Sequence, residues 1–79
     1  MQGKVAFITG ASSGIGKASA LAFAKHGANV VLVDVTPTGQ QVAEMIKKET
    51  GQDTLFIQAD VSKDLEVESA VSQTIKKFG

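Results

Sequence analysis

Three glycines, Gly10, Gly14 and Gly16, stand in the string Thr9-Gly10-Ala11-Ser12-Ser13-Gly14-Ile15-Gly16, and Asp34 follows eighteen positions after Gly16. The chemistry that such a pattern serves is the binding of phosphate. The first turn of an α-helix exposes unpaired N–H groups and a partial positive charge, so it attracts anions wherever no side chain keeps them away. Gly10 permits a turn out of a strand, Gly14 opens the approach to the helix end, and Gly16 lets the helix pack closely on the sheet. Ser12 and Ser13 offer hydroxyl donors. The spacing is GxxxGxG rather than the commoner GxGxxG. Glycines can also serve only to tighten a strand-to-helix turn, but an acidic residue closing the next strand favours a dinucleotide. Asp34 sits near the ~20-residue offset of a carboxylate that accepts from the hydroxyls of an adenosine ribose. Its charge repels a 2′-phosphate, and neither Ser13 nor Val35 is basic, so these residues favour NAD over NADP.

Apolar patterning supplies the elements that must hold this loop. Val5-Ala6-Phe7-Ile8 is continuously apolar, as a strand buried on both faces is. Ile15, Ala18, Leu21 and Ala22 then recur at helical spacing, with Lys17, Lys25 and His26 outward and a stop at His26, because Gly27 takes the left-handed conformation at low cost. Val30-Val31-Leu32-Val33 is a second strand, ending at Asp34. After a turn at Pro37-Thr38-Gly39, a helix marked by Val42, Met45 and Ile46 runs toward Thr50 and ends before Gly51. Thr54 to Ala59 is a third strand closing at Asp60. Ser62 is the expected N-cap of a last helix, with Asp64 and Glu66 in its first turn and Val67, Ala70, Val71, Ile75 and Phe78 on its inner face. The order β-α-β-α-β-α predicts an α/β fold: a parallel three-stranded sheet in the order 3-2-1, half of a doubly wound architecture. The first two helices share one face of that sheet and the third belongs to the other.

Composition narrows the classes of function. Seventy-nine residues make one small domain. Eight basic and eight acidic residues give no net charge, which argues against nucleic acid or an anionic membrane as partner. Without cysteine there is no disulfide, thiolate nucleophile or thiolate metal site. No apolar run approaches the ~20 residues of a membrane span, and Met1-Gln2-Gly3-Lys4 shows no signal-peptide organisation, so a cytoplasmic location is expected. The acidic residues Asp60, Asp64, Glu66 and Glu68 are explained by helix-start electrostatics, and no metal is expected. His26 reads as a solvated residue at a helix end. Lys17 reads either as a phosphate contact or as an ordinary solvent-facing lysine.

The string from Thr9 to Gly16 resembles the TGxxxGxG signature of the short-chain dehydrogenase/reductase superfamily, and Asp34 and Asp60-Val61 fall in that family's order. The resemblance implies a Rossmann sheet and hydride transfer between NAD(P) and an alcohol or carbonyl. It implies that Gly10, Ser12, Ser13, Gly14, Ile15 and Gly16 form the pyrophosphate loop and that Asp34 holds the adenosine ribose. Asp60 and Val61 then border the adenine, Asp60 by side chain or backbone; equally, Asp60 is a strand-end residue capping a turn. The family's catalytic serine and its Tyr-x-x-x-Lys pair have no counterpart here, for the chain contains no tyrosine at all. The expectation is a cofactor-binding half, residues 1–79, inactive by itself, with no catalytic residue. The rival reading is a non-catalytic nucleotide-binding or oligomerising module, because an unpaired outer edge on the first strand and an uncovered last helix invite self-association or pairing with the missing half.

Overall fold

The structure, a computed structural model, describes residues 3–79. Its elements alternate: β1 (Val5–Thr9), α1 (Gly14–Lys25), β2 (Asn29–Asp34), α2 (Gly39–Thr50), β3 (Thr54–Gln58) and α3 (Asp64–Phe78). The strands are parallel with β2 in the middle, so the sheet has the order 3-2-1 that the sequence predicts. The register aligns Phe7 with Val31 and Leu55, and Ile8 with Leu32 and Phe56.

β2 carries the core because it is the central strand and is the most fully buried on both faces. Its β-branched run alternates: Val30 and Leu32 pack with Ala20 and Ala24 of α1 and with Ala43 and Ile46 of α2. Val31 and Val33 point the other way, to Ile57, Ala59 and Ala70 under α3. Two helices thus lie on one face and the third on the opposite face, as expected.

Four expectations need correction. The inner face of α1 is Gly16, Ala20 and Ala24, with Leu21 half-buried, whereas Ile15 is 85% exposed and Ala18 and Ala22 face outward. The close seat of Gly16 sets this rotation: a Cβ there would overlap the Gly10 carbonyl oxygen and lie 3.0 Å from the Ala11 Cα. Small residues one turn apart then let the helix stay near the sheet. Next, β1 is not buried on both faces. Val5 and Phe7 are each 39% exposed, because α3 lies over the β2–β3 side of the sheet and its inner face holds only Ala70 fully, with Val67 and Phe78 half-buried. Val71 and Ile75, expected inside, are 44% and 61% exposed. Finally, Ser62 is not the N-cap of α3. Lys63 takes the cap position with no side-chain bond to the helix. Ser62 lies one residue before that position and donates from both N–H and Oγ to Asp60 Oδ1, at 2.9 and 2.7 Å, closing the turn on the strand-end carboxylate.

Candidate functional site at the carboxyl ends of the strands

β1 delivers the chain to Gly10, whose φ of +63° lies in the left-handed region that a side chain disfavours. From there the loop folds on itself. The Ser13 N–H (3.1 Å) and Ser13 Oγ (2.7 Å) both donate to the Gly10 carbonyl. Ser13, extended at φ −78° and ψ 164°, caps α1 by accepting from the Gly16 N–H at 3.3 Å. The hydroxyl hydrogen of Ser13 is therefore committed within the loop. Among the described residues, no protein acceptor faces the N–H groups of Gly14 and Ile15, the next two donors at the helix start. A Cβ at Gly14 would meet nothing within 4 Å, so packing does not require glycine there.

Asp34 ends β2 beside this loop. Its Oδ2 accepts from the Ser12 N–H at 2.9 Å and its Oδ1 from the Thr36 N–H at 3.0 Å. The Ser12 bond, and after it the Thr36 bond, hold the carboxyl below the ordinary aspartate value by stabilising the ionised form. A carboxylate accepts about four hydrogen bonds, so each oxygen retains capacity for another donor. The contact between Asp34 and Ser12 was not foreseen from sequence. The parallel order of β1 and β2 brings the two strand ends side by side, but which donor the carboxylate meets is set by the ångström-scale placement of the loop. The Ser12 hydroxyl is buried without a partner.

Asp60 follows β3 in the same layer. Its Oδ1 takes both bonds from Ser62, which lower its pKa, and its N–H donates to Glu66 Oε1 at 2.9 Å. The Val61 N–H has no protein acceptor among the described residues, and the Val61 side chain is half-exposed. Gly10, Asp34, Val35, Asp60 and Val61 border one crevice of about 190 Å³ outside the strand ends. The structure thus gathers Gly10, Asp34, Asp60 and Val61 from three separate strand ends, with Ser12, Ser13, Gly14 and Ile15 on the adjoining rim. A larger polar cleft of about 460 Å³, with His26, Glu49 and Gln52 in its wall, lies at the opposite ends of α1 and α2 and has no glycine loop.

A parallel α/β sheet with a glycine loop leading into its first helix and an acidic residue closing its second strand is a dinucleotide-binding fold of the Rossmann type. The family model of the short chain dehydrogenases matches residues 4–79, and the chain belongs to that family. A short chain dehydrogenase/reductase of Aspergillus oryzae is 46% identical over 80 residues, which cover all of this chain and 31% of that protein. The L-sorbose reductase of Gluconobacter frateurii, solved with NADPH and L-sorbose, superposes with a TM-score of 0.95 at 40% identity, over all of this chain and 30% of that one. An NAD+-bound xylitol dehydrogenase superposes with a TM-score of 0.92 at 29% identity, over 99% of this chain and 30% of its own. The family is one of NAD(P)-dependent oxidoreductases, and this chain is the cofactor-binding part of its fold. No helix among the described residues is long and apolar enough to cross a membrane.

Proposed function

We propose that residues 1–79 form the dinucleotide-binding half of an oxidoreductase that moves hydride between a nicotinamide cofactor and an alcohol or carbonyl. The observation that carries this reading is the pair of unengaged N–H groups on Gly14 and Ile15, at a helix start bare of side chains on the Gly14 side. The loop from Gly10 through Ser12, Ser13 and Gly14 to Gly16 holds the pyrophosphate. Asp34, already ionised and oriented by two backbone donors, accepts from the adenosine ribose hydroxyls. Asp60 Oδ2 and the Val61 N–H, an acceptor beside a donor, meet the adenine edge. The cofactor supplies the hydride; the proton-transferring residues of the family's reaction lie outside these residues, which contain no tyrosine.

Between the two nicotinamide cofactors, Asp34 favours NAD, because an ionised carboxylate at the ribose repels a 2′-phosphate. Relatives of this fold hold either NADPH or NAD+, so the preference rests on that one side chain. The test is an amide NMR titration with NAD and, separately, NADP. Shifts at Gly10, Gly14, Gly16 and Asp34 that saturate at lower NAD than NADP concentration are expected. Silence at those amides with both cofactors overturns the binding reading, and equal affinities overturn the NAD preference alone.

A second reading, self-association or docking of a complementary half, has its own support. Val5 and Phe7 on β1 and Val71 and Ile75 on α3 are exposed apolar residues on one side of the sheet, and β1 pairs only with β2 among the described strands.

A further inference from the structure

We infer that Glu66 is a positioning residue for the adenine subsite, an inference that rests on the adenine reading of Asp60 and Val61 given above. Glu66 lies in the first turn of α3, where negative charge complements the helix dipole, and that alone would account for an acidic residue there. Its geometry does more. Glu66 Oε1 accepts from the Asp60 N–H at 2.9 Å, reaching back across the turn that joins β3 to α3. Its other oxygen, Oε2, lies 3.7 Å from the Lys63 ammonium. The turn is closed a second time by the Lys63 N–H donating to the Asp60 carbonyl at 3.0 Å, and a third time by Ser62 on Asp60 Oδ1.

Asp60 is therefore held at its N–H, its carbonyl and one carboxylate oxygen. Asp60 Oδ2 and the Val61 N–H, on residues that border the crevice, remain without a protein partner among the described residues. Glu66 fixes the direction of this acceptor–donor pair by holding the backbone that carries it. With Glu66 removed, the Asp60 N–H loses its partner and the segment gains rotational freedom, which must be lost again when a base binds. Lys63 contributes little, since its ion pair is long and both side chains are solvated.

The chemical class recognised is a base edge with an amino group beside a ring nitrogen acceptor. The test compares binding of adenosine 5′-monophosphate and inosine 5′-monophosphate, which replaces that amino group by an oxo group, to the natural polypeptide that carries this chain. Glu66→Ala is expected to reduce the preference for the adenosine nucleotide about fivefold, the worth of one well-oriented hydrogen bond. Glu66→Gln, which keeps the acceptor but not the charge, is expected to retain it. A merely structural role would weaken both nucleotides together and leave their ratio unchanged, and that result overturns the inference. So does a Glu66→Gln protein that behaves like Glu66→Ala. Should Glu66→Ala not fold, amide hydrogen exchange in the unmodified protein decides: slow exchange at Asp60 supports the bond, and exchange as fast as in an open loop refutes it. If the unmodified protein makes no distinction between the two nucleotides, the adenine reading itself fails and the role of Glu66 fails with it.

Discussion

A Cβ at Gly16 would overlap the Gly10 carbonyl oxygen and lie 2.8 Å from its carbon, whereas a Cβ at Gly14 would meet no atom within 4 Å. The two positions therefore separate folding from binding. Gly16→Ala should cost about 1–3 kcal/mol of stability, as overpacking against backbone does, and should be seen as a lower midpoint in urea. Gly14→Ala, at the first position of α1, should leave stability unchanged or raise it by up to ~1 kcal/mol through helix propensity, yet weaken cofactor binding about tenfold by crowding the pyrophosphate. Equal loss of stability in the two variants would sink that distinction. Asp34 makes a different kind of prediction. Its carboxyl is held below the ordinary value by the Ser12 and Thr36 N–H groups, so its contribution is present in full above the pKa of the unfolded chain and is lost as pH falls through the folded value. Asp34→Asn lacks this dependence. Its thermal midpoint should fall below that of the unmodified protein at pH 7, and the gap should narrow below about pH 4, where the native carboxylate becomes protonated.

Among the elements, α2 and α3 look alike in sequence and differ in what lies beneath them. Both are amphipathic, and each carries an isoleucine on its apolar stripe. Ile46 of α2 is fully buried against β2 and α1, while Ile75 of α3 is 61% exposed. Ile46→Ala should cost about 2–5 kcal/mol, a core truncation. Ile75→Ala should stay within about 0.5 kcal/mol, as surface substitutions do. Chemical denaturation of the two variants in parallel checks the contrast, and comparable losses would mean that α3 is covered in solution. The elements were legible from the sequence because periodicity reports which residues want burial. The rotation of α1 was not. Ile15, Ala18 and Ala22 make a plausible apolar stripe, but Gly16, Ala20 and Ala24 are the residues small enough to lie against the sheet, and closeness of approach outranked hydrophobicity.

For the molecule as a whole, the exposed residues Val5, Phe7, Val71 and Ile75 flank the side of the sheet that α3 leaves open, and the chain spans 31% of a curated relative it matches. With the charges balanced at eight of each sign, no net repulsion keeps copies apart. On the self-association reading, replacing Val71 and Ile75 together by lysine should shift sedimentation of this chain toward monomer while leaving cofactor-induced NMR shifts at Gly14 in place. Unchanged sedimentation would rule this face out as the contact.

By itself the sequence determined the order and parallel pairing of the strands, the glycine loop and the acidic residue at the end of β2. Those features depend on local matters: chain conformation at Gly10, burial of Val30 to Val33, and the number of residues between loop and carboxylate. Tertiary structure alone decided what the polar groups do with one another. The Asp34 carboxylate reaches the Ser12 N–H because two strands end side by side, the Asp60 N–H finds Glu66, and Ser62 bonds Asp60 Oδ1 instead of capping the helix. Hydrogen bonds between residues distant in the chain depend on ångström-scale placement of whole elements, and composition and spacing do not encode that placement.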